Sequence, residues 1–335
     1  MTAFILSKSI FAEDDNYLAI MHPQSFDSWK DVPVLNYMHS EECGYKKVLP
    51  LLRWFRSGQG SYRKQVEEVR NMVGDIVFDR AFLAVDIDIQ AQLLLAVLGL
   101  KNYYRYDEGM WSYYPGGHNR TWLREKFHLF ELNTICFFAG IKSELEFNTA
   151  WIGGSRAAIG DYLYGPQLLM RKSPNAVEIT KEMIKKAVRN LQEKGLLKSH
   201  FDSKTIIYLS QPLVEKGEVN EKDELDGLLK IMAKFDGKAQ FLYKPHAIDT
   251  QKKIEKYKKA IPGMSIFNSK VPVELLYASE PHIDAVVSYA SSGLMFGEKF
   301  ADRKINMLSL ADLCAKPIDA DAHKIMENAG VEFIE

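Results

Sequence analysis

The chain alternates apolar runs of strand length with stretches of helix length. Residues 81–86 and 102–106 have the length of buried strands, and the apolar stretch 89–100 between them has helical length and closes at Gly99. The same alternation returns over residues 205–310. A β-α-β-α order favours a mostly parallel sheet covered by helices, because parallel strands need a crossover connection. The sequence therefore predicts an α/β protein.

Apolar runs predict the remaining elements. Further strands are predicted at residues 4–6, 17–21, 205–209, 240–243, 283–289 and 305–310. Further helices are predicted at residues 61–73, 174–197, 224–235, 273–278 and 293–300.

The length of 335 residues predicts two domains, at about 100–200 residues per domain. Helix signals mark a connector between them: Ser173 suits an N-cap, Pro174 the first helical position and Gly195 the stop. We expect a first domain over residues 1–173 and a second over residues 174–318.

Composition and charge exclude several classes of protein. With 47% hydrophobic and 26% charged residues the chain is neither disordered nor fibrous. A net charge of −1 gives no overall field that favours nucleic acid. The three cysteines are far apart, which argues against a disulfide framework or a structural zinc site. No segment has the length of a membrane span or of a signal sequence, so we expect a cytoplasmic protein.

Two adjacent acids follow the strand at residues 102–106. Asp107 and Glu108 stand at the corner, and Gly109 lets the backbone turn. Aromatic residues come next, and a carboxylate beside apolar rings gains proton affinity, as a general base requires. The alternative is a solvated acidic turn followed by core aromatics.

Polar residues also end strands in the second half. His246 follows a strand beside Lys244, and it could donate a proton or a hydrogen bond to a phosphate. Ser291 and Ser292 open a predicted helix, where hydroxyl and N–H groups make an anion site. Glu274, at the start of another helix, could accept both hydroxyls of a ribose. Each has a simpler explanation: a loop histidine, a helix cap and a charge that stabilises the helix dipole.

The order and spacing of these residues resemble the bacterial inverting sialyltransferases of the two-Rossmann-domain (GT-B) type, which include lipooligosaccharide sialyltransferases and capsular polysialyltransferases. That family has a D/E-D/E-G motif in its first domain, and K-x-H-P and Ser-Ser motifs in its second. The matching residues here are Asp107-Glu108-Gly109, Lys244-Pro245-His246-Ala247 and Ser291-Ser292, with a ribose-binding segment at 271–276 and a loop at Gln211-Pro212.

The resemblance implies two Rossmann-like domains that face each other across a cleft. It implies transfer of sialic acid from CMP-sialic acid to a glycan hydroxyl, with inversion, without a metal and without another cofactor. Asp107 is then the general base, and Glu108 supports it or exchanges roles with it. The partners are a nucleotide-sugar donor and a glycan acceptor, with no nucleic acid.

The resemblance also implies roles on the donor side. His246 donates to the leaving phosphate, Ser291 and Ser292 hold that phosphate, Lys244 adds positive potential and Glu274 binds the ribose. Preorganised groups of the protein then stabilise the negative charge that develops on the phosphate.

Several features leave alternatives open. Ala247 replaces the family's proline, which we expect to loosen the loop of His246. Trp151 and the pair Tyr113-Tyr114 could stack on sugar rings or pack in the core. Two functional alternatives also remain open. The donor could be another CMP-activated keto-sugar acid (Kdo-like), or the chain could be a GT-B protein that is an epimerase or a binding module rather than a transferase.

Two terminal and surface features complete the expectations. The resemblance implies that residues 319–335 form a helix that packs back on the first domain. Lysines over residues 252–259 make a basic helix that is either a solvated face or a contact with anionic lipid, which would place the protein peripherally on the inner face of the cytoplasmic membrane. The sequence indicates no oligomeric state.

Overall fold

The computed structural model divides by its contacts into two compact units, Met1–Met183 and Ile184–Glu335. Ala247 and Cys314 lie outside the residues that it describes. The described residues are 1–21, 31–51, 61–114, 122–148, 151–235, 239–246, 248–313 and 317–334.

The described part of the first unit contains five helices and six strands. The helices are α1 (Thr2–Lys8), α2 (Pro33–Met38), α3 (Tyr62–Val73), α4 (Ile89–Val97) and α5 (Trp122–Ala139). The strands are β1 (Tyr17–Ile20), β2 (Lys47–Pro50), β3 (Phe82–Leu83), β4 (Tyr103–Tyr106), β5 (Ala158–Leu163) and β6 (Ala176–Glu178). The boundary between the units falls within α6 (Lys181–Glu193).

Strands of the first unit are parallel throughout the described residues. β1 pairs with β2, and a second sheet has the order β3-β4-β5-β6. Helices α3, α4 and α5 share one apolar core, in which Val66, Val69 and Val73 are buried at the helical spacing that the sequence shows. The carboxyl ends of β4 and β5 therefore lie side by side at one edge of the sheet.

A buried cluster of charges fixes β4 to β5. Arg105 is fully buried on β4, opposite Asp161 of β5, and its Nε donates to Asp161 Oδ1 at 2.6 Å. Arg171 donates to the same oxygen at 2.9 Å, and Asp86 lies 3.8 Å from Arg105 NH1. The two arginines hold the pKa of Asp161 below its ordinary value even though burial alone would raise it.

The second unit continues the alternation. Its strands are β7 (Thr205–Leu209), β8 (Gln240–Lys244), β9 (Met264–Ile266), β10 (Ile283–Ser288), β11 (Asn306–Ser309) and β12 (Glu332–Phe333). Its helices are α7 (Glu221–Lys234), α8 (Gln251–Ala260), α9 (Val273–Ser279), α10 (Gly297–Phe300) and α11 (Ala320–Asn328).

The second unit has one parallel sheet of six described strands. Their order is β12-β11-β10-β7-β8-β9, so the chain adds strands on one side of β7 and then crosses to the other side at β10. This is the 3-2-1-4-5-6 order of dinucleotide-binding folds, whose ligands lie beyond the carboxyl ends at the crossing point. The α/β class predicted from the sequence is confirmed.

The predicted strand at residues 4–6 and the predicted start of the helix at Pro174 differ from the structure. Residues 4–6 belong to helix α1, because three apolar residues alone do not distinguish a strand from a helix. Pro174 does not begin a helix: Ala176–Glu178 forms β6 first, and Thr180 then accepts a hydrogen bond from Met183 N at the start of α6. The predicted stop is correct, since α6 ends before Gly195, which has a φ of +67°.

The predicted helix over residues 293–300 is broken in the structure. A three-residue 3₁₀ turn, Ser292–Leu294, is followed by the four-residue α10. Phe296 separates them with φ −128° and ψ 20°, which is outside the helical region.

The end of the chain belongs to the second unit. Residues 319–335 contain helix α11, as expected, but they also contain β12, which pairs with β11. His323 of α11 lies 3.3 Å from Asp312 and stacks on Phe333. The strand that extends the second sheet was not expected, and the packing of this segment on the first domain stays a prediction.

Removing one charge from the buried cluster should be costly. We expect Asp161→Asn to lower the free energy of unfolding by about 3–5 kcal/mol, because it leaves two arginines without their shared carboxylate. Urea denaturation measures the change. The matched control is Asp14→Asn, which removes the half-exposed pair Asp14–Arg80 and should cost less than about 1 kcal/mol. Equal effects in the two variants would contradict this account.

Candidate active site

The acid pair lies at the carboxyl end of β4. Asp107 continues the pairing of the strand, since its N–H donates to the carbonyl of Tyr162 at 2.9 Å. Gly109 then turns the chain with φ 114° and ψ −154°, a conformation that is essentially limited to glycine. The N–H of Gly109 donates to Asp107 Oδ1 at 2.8 Å. The glycine therefore both reverses the backbone and fixes the carboxylate.

Asp107 is almost fully buried and held from several sides. Its Oδ2 accepts hydrogen bonds from the hydroxyl of Tyr113 and from the N–H of Tyr164 at 3.1 Å. The N–H of Gly165 donates in turn to the Tyr113 hydroxyl at 3.2 Å, and Thr2 of α1 donates to the carbonyl of Asp107 at 2.9 Å. These contacts fix the carboxylate between β4, β5 and α1.

Burial sets the proton affinity of both acids. Burial raises the pKa of Asp107 to about 6, while the hydrogen bonds from Tyr113, Tyr164 and Gly109 oppose the rise. The pKa of Glu108 rises to about 7, through desolvation and then through the charge of Asp107. Because the folded pKa of Asp107 lies above 3.8, its contribution to stability falls as the pH rises from about 4 through 6.

The two carboxylates differ in access to solvent. Asp107 is 4% exposed, whereas Glu108 is exposed, and the Glu108 N–H donates to Ser112 Oγ at 3.0 Å. Asp107 Oδ1 accepts a hydrogen bond from Gly109 N, and a carboxylate oxygen has a second lone pair for another donor. Either acid can therefore offer a lone pair to a substrate proton.

The neighbouring aromatics divide into core and surface. Tyr113 and Tyr114 are buried and pack in the core, which was one of the two alternatives for them. Trp111 is 39% exposed and stacks on Tyr114, with ring centroids 5.6 Å apart. Trp151 is 41% exposed. The indoles of Trp111 and Trp151 are thus partly accessible to a sugar ring.

In the second unit the ends of β7, β8 and β10 meet at one edge of the sheet. Gln211, just beyond β7, accepts a hydrogen bond from Ala290 N at 2.7 Å and one from Ser288 Oγ at 3.3 Å. The Tyr243 hydroxyl of β8 and Ser210 Oγ form a hydrogen bond at 2.8 Å. These side chains link the three strand ends across the crossing point of the fold.

His246 is exposed in the loop after β8 and is held by Asp249. Asp249 Oδ2 accepts from His246 N and from the Tyr243 hydroxyl, both at 2.9 Å. Ile248 N donates to His246 Nδ1 at 3.3 Å, so Nδ1 acts as an acceptor and the proton of a neutral ring lies on Nε2. The loop therefore presents Nε2–H as a donor, although the chain has Ala247 in place of a proline.

Lys244 and Glu274 lie near each other at the same edge. Lys244 Nζ donates to the carbonyl of Ser269. Burial lowers the pKa of Lys244, and the charge of Glu274 opposes that change. Glu274 is in the first turn of α9, half-buried.

Ser291 and Ser292 lie just past β10. The Ser291 hydroxyl accepts from Gly293 N at 3.2 Å, which is the capping role that the sequence offered as the simpler explanation. Ser291 is half-buried, and Ser292 is exposed. Because only a short 3₁₀ turn follows, an anion here meets two hydroxyls and a few N–H groups rather than a full helix dipole.

The basic helix α8 is partly neutralised. Lys253 is buried, and its Nζ lies 3.3 Å from Glu224 and from Asp249. Lys256 pairs with Glu221. Two of the five lysines thus serve the fold, while Lys252, Lys258 and Lys259 are exposed.

The structure brings Lys244, His246, Ser291 and Ser292 to one edge of the second sheet, and it places the acid pair in the first unit. Sequence reasoning missed Tyr113 and Asp249 as the groups that hold Asp107 and His246. An acid three residues after a turn position can reach back to the backbone N–H there, as in a capping box, and this spacing could have identified Asp249.

No group of three or more histidine, cysteine, aspartate or glutamate side chains among the described residues is placed to hold a metal ion. Among the helices that the structure describes, none has both the length and the apolar composition that crossing a membrane requires.

The six-stranded sheet has the strand order of dinucleotide-binding α/β folds, with polar groups at its crossing point. The family model for alpha-2,8-polysialyltransferases matches residues 89–308, which include every candidate residue from Asp107 to Ser292. The chain therefore belongs to the alpha-2,8-polysialyltransferase family, a family of glycosyltransferases. No curated protein sequence matches the chain.

Several solved structures are similar at low identity. UDP-GlcNAc 2-epimerase from Methanocaldococcus jannaschii, in complex with UDP-GlcNAc and UDP, is 12% identical with a TM-score of 0.49, over 98% of this chain and 89% of that one. UDP-GlcNAc 2-epimerase from Neisseria meningitidis is 12% identical with a TM-score of 0.47, over 93% and 90%. ADP-heptose LPS heptosyltransferase II from E. coli is 13% identical with a TM-score of 0.41, over 98% and 93%.

Tyr113 should control the proton affinity of Asp107. We expect Tyr113→Phe to raise the pKa of Asp107 above about 6, because the substitution removes a hydrogen bond that stabilises the charged carboxylate. An NMR titration with ¹³C-labelled aspartate measures the midpoint. The matched control is Tyr103→Phe, which removes a 2.9 Å hydrogen bond to Asp86 instead. A midpoint that stays or falls in Tyr113→Phe would show that this hydroxyl does not hold Asp107.

Asp249 should order the loop of His246. We expect Asp249→Ala to speed hydrogen exchange of the His246 amide by about tenfold or more, because a hydrogen bond to a charged group is worth roughly 1.5–3 kcal/mol. Asp249→Asn keeps an acceptor oxygen and should have a smaller effect. The amide of Gln90, capped by Asp88 at 2.7 Å, serves as an internal reference. Unchanged exchange at His246 would exclude this role for Asp249.

Proposed function

We propose that the protein transfers sialic acid from CMP-sialic acid to a hydroxyl of a glycan acceptor, with inversion, in the synthesis of a bacterial surface polysaccharide or lipooligosaccharide. The observation that carries the proposal is the family match over residues 89–308, because it contains both the acid pair and the polar edge of the second sheet. The name of that family favours sialic acid itself as one acceptor.

In this reaction Asp107 takes the proton from the acceptor hydroxyl as the acceptor oxygen bonds to the anomeric carbon. A pKa of about 6 suits a base that works near neutral pH, because the group is deprotonated there and still has useful proton affinity. Glu108 is the exposed neighbour, and desolvation and then the charge of Asp107 raise its pKa. It is also the alternative base, because the residue is exposed and its pKa rises to about 7.

The bond from the anomeric carbon to the CMP phosphate breaks in the same step, and CMP leaves. His246 donates to that phosphate from Nε2, which the acceptor role of Nδ1 supports. Ser291 and Ser292 bind the phosphate oxygens, Lys244 adds positive potential and Glu274 binds the ribose. Protein groups thus meet the charge that develops on the leaving group, and the proposal needs no metal.

Proton removal gives the reaction a defined pH dependence. The rate should fall about tenfold per pH unit below an apparent pKa between about 6 and 7, because only the deprotonated base accepts the proton. This limb belongs to the coupled pair rather than to one residue.

The direct test is CMP release from CMP-sialic acid in the presence of EDTA, with and without lactose or oligosialic acid. We expect release that persists in EDTA, rises with one acceptor and falls by about 10²–10⁴-fold in Asp107→Asn. The control is Asp88→Asn, which alters the cap of α4 and leaves the acid pair intact. If Glu108→Gln loses the activity and Asp107→Asn retains it, Glu108 is the general base and Asp107 is the supporting residue.

Other outcomes contradict the proposal. Acceptor-stimulated release from CMP-Kdo but not from CMP-sialic acid would assign another CMP-activated keto-sugar acid as the donor. Turnover of a UDP-sugar without transfer would indicate an epimerase. Nucleotide binding without any turnover would indicate a binding module.

A further inference from the structure

Helix α5 has two opposite apolar faces, and only one of them packs inside the protein. Leu132, Ile135, Cys136 and Ala139 are buried against the core shared with α3 and α4. The opposite face carries large apolar side chains in solvent. The exposed set is Leu123, Phe127, Phe130, Phe137 and Phe138, which are 59–77% exposed.

The exposed set follows the spacing of a helix-pairing seam. Leu123, Phe127, Phe130, Thr134 and Phe137 are separated by four, three, four and three residues, which is the alternation of a and d positions in a heptad repeat. Thr134 interrupts the apolar row, but its hydroxyl donates to the carbonyl of Phe130 at 2.7 Å within the helix. The seam, defined as these five residues, therefore brings no unpaired hydroxyl to a partner.

The charges beside the seam are complementary for two parallel copies. In a parallel pair, a g position faces the e position five residues later on the other helix. Lys126 occupies g and Glu131 occupies e, so each copy would place Lys126 next to Glu131 of the other. Both are exposed, although Glu131 also lies 3.5 Å from His128 of its own helix. In an antiparallel pair, g positions face g positions and e positions face e positions, so Lys126 would not face Glu131.

The area of the patch also suits a second copy. Four phenylalanines at this exposure, with Leu123, present roughly 600 Å² of apolar surface. This is at the upper limit of the largest patch on a typical monomer, about 300–600 Å². It is most of the roughly 800 Å² that each partner contributes to a standard interface.

We propose that the seam on α5 is a homodimer interface, in which the α5 helices of two copies pair in parallel and in register. The aromatic seam supplies the buried core of the interface, as aromatic residues commonly do. Lys126 and Glu131 at its rim select a second copy and its direction. This proposal is independent of the reaction proposed above.

Sedimentation equilibrium of the full chain tests the dimer. We expect a mass of twice 38.3 kDa for the wild type and 38.3 kDa for Phe130→Glu, which puts a charge at the centre of the seam. The matched control is Val77→Glu, because Val77 is an 87% exposed apolar residue of the same unit outside the seam. A wild type that is monomeric at all concentrations overturns the proposal.

Charge reversal and cross-linking test the direction of pairing. Lys126→Glu and Glu131→Lys should each raise the dimer dissociation constant by roughly fivefold to tenfold, and the double exchange should restore it. Thr134→Cys should form an intermolecular disulfide with copper phenanthroline as the oxidant, because equal seam positions meet in a parallel pair, and Val77→Cys should not. A dimer that ignores Phe130→Glu, or that cross-links through Val77→Cys, contradicts this interface.

The same variants distinguish a second copy of the chain from a lipid surface as the partner of the seam. A monomer that binds phosphatidylcholine–phosphatidylglycerol vesicles through Phe130 would assign the seam to lipid and overturn the dimer. A monomer that binds neither a second copy nor vesicles would overturn it as well.

Discussion

Desolvation of a carboxylate at the end of β4 is the interaction on which the proposed chemistry of the first unit depends. A buried aspartate keeps its proton to higher pH, and the fold tolerates the charge only because Tyr113, Tyr164 and Gly109 donate hydrogen bonds to it. β4 itself is held by Arg105, which pairs with Asp161 of β5. Stability and reactivity therefore share one set of contacts in this sheet.

In the second unit, the strand order rather than the burial of a charged group determines where the candidate polar residues lie. Since all described strands of its sheet are parallel, the residues that follow β7, β8 and β10 reach the same edge, and Gln211 and Asp249 fix the loops there. The donors at this edge are Nε2 of His246 and the hydroxyls after β10. His246 and Ser292 are exposed and Ser291 is half-buried, and the residues that fix these loops, Gln211 and Asp249, are half-buried. Such an arrangement supports the proposed neutralisation of a leaving group.

Periodicity and strand ends predicted much of the fold from the sequence, and they predicted less of the site. The parallel sheets and the positions of Asp107 and His246 at strand ends follow from local patterns, which is why those predictions agree with the structure. Residues 4–6 and 174–178 were assigned incorrectly, because tertiary pairing decides such short segments. The contact of Tyr113 with Asp107 depends on how a loop folds back, which local pattern does not encode.

The central claim is that the polar edge of the second sheet binds the CMP part of a donor. Titration calorimetry with CMP and with UDP tests it most directly, using the wild type and Ser291→Ala. The account predicts that CMP binds more tightly than UDP and that Ser291→Ala weakens the binding of CMP. Tighter binding of UDP, or binding of CMP that Ser291→Ala leaves unchanged, would contradict it.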